Sequence, residues 1–230
     1  MVTGRPGDDA HDGTDASDPL EGDPRLPDYF GAAWPSIQGF HQLLVSEGVL
    51  RGLIGPREVS RLWERHLLNS ATVVQQLPAR GRIVDVGSGA GLPGVVVAAM
   101  LPEAEVVLLE PMERRTDWLT EVVNALGLTN VVVTRGRAQD VSGDLVADAV
   151  TSRAVASLDK LYRWCVPLLR PGGSFVVLKG EKAQAEVDAA ASIGKRLGLA
   201  PAVVLAGSSL AGVESTHIVR ADREDVRRVR

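Results

Sequence analysis

The stretch Arg82-Ile-Val-Asp-Val-Gly-Ser-Gly-Ala-Gly-Leu-Pro-Gly94 decides the fold. Positions 83–86 are a β-branched run that reads as a buried strand. Glycines then fall at Gly87, Gly89, Gly91 and Gly94, and Pro93 stands where a helix is expected to begin. A strand, a glycine turn and a helix start let backbone approach a ligand closely and aim N–H groups at it. The stretch is therefore read as a nucleotide-cofactor loop.

Downstream of the loop, apolar runs alternate with helical patterns. Strands are expected at 105–110, 130–134, 148–152 and 174–178, with helices at 93–101, 112–126, 158–169 and 181–197 between and after them. Two final strands, 202–206 and 213–220, have a short link and are expected as an antiparallel edge pair. The fold class is thus α/β: a mostly parallel seven-stranded, Rossmann-like sheet with helices on both faces and an antiparallel edge. Ligands in such sheets bind outside the C-terminal strand ends, where the strand order reverses. That rule gathers Gly87, Glu110, Ala138, Gln139, Arg153 and Lys179 on one rim.

Upstream, residues 28–78 read as a helical extension. Ile37, Phe40, Leu43 and Leu44 recur at helical spacing, and a second helix from residue 57 carries Val59, Leu62, Trp63, Leu67, Val74 and Leu77 on one face. His66 falls beside that face, next to Arg65, and alone reads as a core histidine. Residues 1–27 hold Asp, Gly and Pro without aromatics and are expected to be a disordered acidic tail. The main α/β domain is placed at 79–220, with a charged tail at 221–230.

Composition narrows the class further. No apolar run is long enough to cross a bilayer, and the first residues lack the apolar core of a secretion signal, so a cytoplasmic location is expected. Cys165 is the single cysteine, which leaves no internal disulfide and no cysteine-rich metal site. The net charge of −4 is uneven. Eight acids against two arginines give residues 1–30 a net of −6, so the remainder carries +2. The acidic pI of the whole chain therefore does not decide whether its body meets nucleic acid.

The literal pattern Gly89-x-Gly91-x-x-Gly94 also matches a dinucleotide site. Three features favour S-adenosylmethionine. The glycines read G-x-G-x-G from Gly87; Asp85 precedes them within the strand, where a carboxylate can face the cofactor's ammonium directly or through water; and the sheet ends in an antiparallel pair rather than a further crossover. Glu110, at the end of the second strand, suits ribose hydroxyls in either case.

Four segments then carry a resemblance: Arg65-His-Leu-Leu-Asn-Ser70, Val84-Asp-Val-Gly-Ser-Gly-Ala-Gly-Leu-Pro-Gly94, Ser152-Arg-Ala-Val-Ala-Ser-Leu158 and Leu178-Lys-Gly180, in that order. The chain resembles the RsmG family, also called glucose-inhibited division protein B. The resemblance implies a class I S-adenosylmethionine-dependent methyltransferase fold. It implies methyl transfer to N7 of a guanine in the decoding-region loop of 16S rRNA. It also implies cofactor contacts at Gly87, Leu92, Ala138, Gln139 and Arg153, although family members often carry Glu where this chain has Gln139.

The chemistry agrees with the residues. Guanine N7 has an in-plane lone pair and no proton, so it needs no general base, and orientation is the main task. Cys165 lies in an apolar helical pattern rather than after a strand-end proline, which disfavours a cysteine nucleophile. Arg153 is the leading functional candidate, as a bidentate partner of the cofactor's carboxylate or of an RNA phosphate. Lys179, one of four lysines beside 21 arginines, is expected on an RNA phosphate, and Arg65 and His66 on the RNA-facing rim. The body's low basicity points to a folded small ribosomal subunit or assembly particle as substrate, and leaves a small-molecule methyltransferase with the same cofactor site as the alternative.

Overall fold

A computed structural model describes residues 17–153 and 155–225. Helices α1 (Arg25–Phe30) and α2 (Trp34–Glu47) lead in. The run after them is a chain of unlike turns: 3₁₀ over Pro56–Arg61, π over Leu62–Leu68, the brief α3 (Asn69–Ala71), and 3₁₀ again over Thr72–Gln76. Strands and helices then alternate as β1 (Gly81–Val86), α4 (Gly94–Met100), β2 (Ala104–Glu110), α5 (Glu113–Leu126), β3 (Val131–Arg135), α6 (Ala138–Val141), β4 (Ala147–Arg153), α7 (Leu158–Cys165), β5 (Leu169–Lys179) and α8 (Ala183–Arg196). The edge pair β6 (Val203–Gly207) and β7 (Thr216–Asp222) follows.

The strands order as β3-β2-β1-β4-β5-β7-β6. β1 to β5 run parallel, while β7 is antiparallel to both β5 and β6. The expected mostly parallel, seven-stranded sheet with an antiparallel edge is therefore present. β1 has β2 on one side and β4 on the other, so the strand order reverses there and opens a crevice at its C-terminal end.

The strand sequences account for a sheet buried on both faces. Ile83, Val106, Leu108 and Val176 join one core with Phe40, Trp63 and Trp118. Their alternating neighbours Val84, Val86, Val107 and Val177 join a second core with Tyr162 and Phe175. Because the first core mixes extension and strand residues, the N-terminal helices pack as one body with the sheet.

Three boundaries differ from the sequence reading. The first concerns the acidic tail expected over 1–27, of which residues 1–16 lie outside the described residues. Residues 18–27 pack against the extension. Leu26 is wholly buried, and Asp18 accepts a hydrogen bond from the Trp63 backbone N at 2.9 Å. Glu21 accepts one from Trp63 Nε1 at 3.0 Å. Acids that raise the polarity of the segment here satisfy buried N–H groups instead of holding it in water.

The second is the single helix expected from residue 57, which is broken by the π turn at Leu62–Leu68. That turn buries Leu62, Trp63, Leu67 and Leu68 while His66 lines the cleft described below. The third is the C-terminal tail expected from 221, which begins later because Ala221 pairs with Phe175 and is buried. Residues 226–230 lie outside the described residues. Among the described residues, no helix is long and apolar enough to cross a membrane.

Candidate active site

Three adjoining hollows run along the C-terminal ends of β1, β2, β4 and β5. The first, of about 350 Å³, is largely apolar and is lined by Val86, Leu109, Pro111, Ala138, Gln139 and Trp164 among others. The second, of about 520 Å³, is more polar and is lined by Ser88, Gly89, Leu92, Glu110, Arg115 and Arg153 among others. Gly87, Pro111 and Val155 form the neck shared by both. The third, of about 350 Å³, holds Arg65, Asn69, Lys179 and His217, and shares Glu58, His66 and Arg153 with the second.

The glycine loop is fixed by hydrogen bonds to β2. Gly87 has φ +74° and donates its N–H to the Leu109 carbonyl at 2.8 Å. Gly89, at φ +55°, donates to Glu110 Oε2 at 3.0 Å, and Met112 N donates to Glu110 Oε1 at 3.0 Å. Glu110 is 2% exposed, yet its carboxylate borders the second hollow. Each of its oxygens carries a second lone pair, so the residue can brace the loop and still accept hydroxyl hydrogen bonds.

Two residues of the expected cofactor set face elsewhere. The Asp85 carboxylate is enclosed and lines none of the three hollows. Its Oδ2 accepts from Gly94 N at 3.0 Å, and Oδ1 has no hydrogen-bond partner. Burial pushes its carboxyl up to about 7. The carboxylate ties β1 to the start of α4. Gly91 points into the core: at φ +106°, a Cβ there would lie 2.8 Å from Val95 and 3.1 Å from Phe40. Pro93 occupies the cap position just before α4 rather than its first turn.

At the other end of the cleft the side chains hold each other. Arg153 Nη1 donates to the Arg65 carbonyl at 3.0 Å, and Nη2 meets His66 Nδ1 at 2.9 Å. Arginine only donates, so His66 Nδ1 accepts and its Nε2 carries the proton, given to Glu58 Oε2 at 2.8 Å. Burial, and then the Arg153 charge, hold His66 below its ordinary value, so the imidazole is neutral. The hydrogen bond from His66 holds Glu58 below the usual carboxylate range. Burial pulls the Arg153 guanidinium down to about 10, which leaves it charged at neutral pH.

Lys179 is not free on the rim as expected. Its Nζ donates to the Ala156 carbonyl at 3.0 Å and pairs with Glu186 at 2.8 Å. Glu186 also accepts from Leu158 N at 2.9 Å, so the pair anchors the loop after β4 to α8. Ala138 and Gln139 line the apolar hollow, and Leu92 the polar one. Sequence reasoning missed Glu58, Arg115, Val155 and Trp164. Glu58 precedes the π turn, and nothing in the local pattern brings it to a strand end.

In order along the rim stand an apolar slot, the Glu110 carboxylate and a more polar hollow. Gly87 sits at the neck, where an added Cβ would come within 2.8 Å of Val155. Among the described residues, no group of three or more His, Cys, Asp or Glu is arranged to hold a metal ion.

This sheet order and crevice define a class, the S-adenosylmethionine-dependent methyltransferases. A solved S-adenosylmethionine-dependent O-methyltransferase of Thermotoga maritima has the same fold, with a TM-score of 0.55 at 18% identity over 73% of this chain and 70% of that one. The family model described as rRNA small subunit methyltransferase G matches residues 34–204. The protein of that name in Thermobifida fusca is 56% identical over 70% of this chain and 68% of its own. Its namesake in Bifidobacterium longum is 43% identical over 90% of this chain and 99% of its own. The chain belongs to the rRNA small subunit methyltransferase G family.

Proposed function

We propose that this chain methylates N7 of a guanine in the decoding-region loop of 16S rRNA, in the cytoplasm, with S-adenosylmethionine as methyl donor. The family supports RNA of the small subunit as the substrate class. What supports the choice of atom is that, among the described residues, neither His66 nor Glu58 at the boundary between the second and third hollows is poised to take a proton near neutral pH. There, His66 has both ring nitrogens engaged, and Glu58 is held as a weak base. Such a boundary suits a nucleophile that arrives without a proton. Guanine N7 is one, whereas an exocyclic amine must shed a proton during transfer.

The bound cofactor supplies a sulfonium methyl, an electrophile that needs no further activation. Glu110, held by Gly89 and Met112, is assigned to the ribose, and Ala138 and Gln139 at the start of α6 to the adenine. Arg153 spans the second and third hollows, so it orients both the amino-acid end of the cofactor and the incoming RNA. Holding the two reactants in line is where the rate gain arises.

The substrate form is proposed to be a small ribosomal subunit or an assembly particle. The cations of the described rim are partly committed: Lys179 is paired with Glu186, and Arg153 gives two of its five N–H groups within the chain. A folded particle supplies shape that charge alone would otherwise have to replace. The test is methyl transfer from labelled donor to small subunits taken from cells lacking the gene, with mass spectrometry of the digested RNA. The expected product is 7-methylguanosine, formed faster on subunits than on deproteinised RNA. Label in another nucleoside, or only in small molecules, would overturn the assignment.

A further inference from the structure

We infer that Glu58 is the residue that selects guanine, by accepting hydrogen bonds from the N1–H and N2 amino group of the target base. The inference rests on the guanine-N7 reading above and extends it to a residue that the sequence did not bring forward.

Among the described residues, Glu58 is the one carboxylate that borders both the cofactor-side and the acceptor-side hollow. A base that receives the methyl group must sit at that boundary. Only Oε2 of Glu58 is engaged, by His66; Oε1 accepts no hydrogen bond among the described residues. The side chain is 36% exposed, so the free oxygen is open to a ligand.

The two edges of guanine make opposite demands. N7 and O6 are acceptors, and a donor placed on N7 would occupy the lone pair that must attack. N1–H and the N2 amino group are adjacent donors on the far edge, and a carboxylate is their complement. Gripping that edge leaves N7 bare. Adenine presents an unprotonated N1 there, which a carboxylate repels, so the same contact rejects the other purine.

The surrounding cations fit this division. Arg153 would be the natural donor to guanine O6 and N7. Two of its five N–H groups, one on each Nη, are instead given to the Arg65 carbonyl and His66, which holds the guanidinium against the chain. His66 in turn fixes the Glu58 carboxylate from the chain side, so the partition presents an acceptor to the base.

The test uses the full chain and small-subunit particles rebuilt with guanosine or inosine at the mapped position. Inosine keeps N7 and N1–H and lacks the N2 amino group. The wild-type protein is expected to favour guanosine by about tenfold in kcat/KM, the scale of one charge-assisted hydrogen bond. Glu58→Gln keeps an oxygen for His66 but places a donor or a neutral oxygen before the base. It should slow guanosine methylation by about ten- to a hundredfold, shrink the guanosine preference to about twofold, and leave cofactor affinity unchanged. Glu58→Asp keeps the carboxylate and should keep the preference at a reduced rate. Equal losses on both bases in Glu58→Gln, or no wild-type preference while 7-methylguanosine forms, would overturn the role of Glu58 alone. No 7-methylguanosine from the wild-type protein would overturn the underlying reading, and this inference with it.

Discussion

The two ends of the cleft are built in different ways. At the end proposed for the cofactor, backbone N–H groups do most of the holding. Gly87, Ser88 and Gly89 hang on the end of β2 through their own N–H groups, and one side chain, Glu110, completes the brace. At the acceptor end, side chains from distant segments hold one another: Glu58 to His66, His66 to Arg153, and Arg153 back to the Arg65 carbonyl. A backbone cradle suits a cofactor that is the same at every turnover. A side-chain network allows selectivity for the acceptor, because altering one member changes the donors and acceptors facing it.

That contrast is most severely tested at Arg153. Arg153→Ala leaves the His66 Nδ1 and the Arg65 carbonyl without their donor and removes a buried charge that Asp85 faces. Methyl transfer to RNA, read as kcat/KM, is expected to fall by about a thousandfold, because a charge-assisted contact and the orientation it provides are lost together. Calorimetry should show cofactor binding weakened by about tenfold or less. An equal loss in both would mean that the acceptor network is part of the cofactor cradle, and the contrast would fail.

Glu110→Ala attacks the other end. It strips the acceptor from Gly89 and Met112 N–H groups and, on the proposed reading, from the ribose. Cofactor affinity should drop by about a hundredfold, with kcat at saturating cofactor within about fivefold of normal. A large fall in kcat with unchanged affinity would place Glu110 outside the cradle.

The same contrast explains what could be read beforehand. β1 and the glycine turn are consecutive residues, and period-2 burial on both faces of the sheet leaves an unbroken apolar run that identifies parallel strands. The place of Glu110 at the crevice was legible because strand ends in such a fold converge. Glu58 was not: it meets His66 only through the π turn, and Arg153 reaches His66 across 87 positions of sequence. Lys179 was placed correctly on the rim, but its partner Glu186 sits on α8, so its commitment to an ion pair was invisible. The order of residues 18–27 was hidden for a like reason, since Asp18 and Glu21 find their donors on Trp63, more than 40 positions away.

Asp85 belongs to neither end of the cleft, and pH can show it. Its folded value of about 7 stands above the ordinary 3.8 because burial penalises the charged form. A raised value in the folded state means that its protonated form contributes stability below pH 4, and that this contribution is lost as pH rises to 7. Asp85→Asn keeps an oxygen for Gly94 N and removes the titration. The difference in unfolding free energy between variant and wild type should move in the variant's favour between pH 4 and 7, by about 3 kcal/mol. Denaturant titrations at both pH values measure it, and a flat difference would show that the carboxyl does not titrate in this range.

Gly91 sharpens the contrast with the smallest effect. It lies within the glycine motif, between residues that border the cleft, yet its missing side chain would point at Phe40 and Val95 in the core. Alanine there must adopt φ +106° and displace Val95, which together should cost about 1–2 kcal/mol of stability. Phe40 lies on α2, so the loss falls on the seam between the extension and the loop, and the cofactor cradle is untouched. Gly91→Ala should therefore lower the thermal midpoint while cofactor affinity stays within about twofold of normal. Gly87→Ala should do the reverse, because its Cβ would press on Val155 at the neck between the two cofactor hollows. If Gly91→Ala weakens cofactor binding as much as Gly87→Ala does, the glycines of the motif act as one unit. The division between loop residues that meet the ligand and loop residues that meet the core would then be lost.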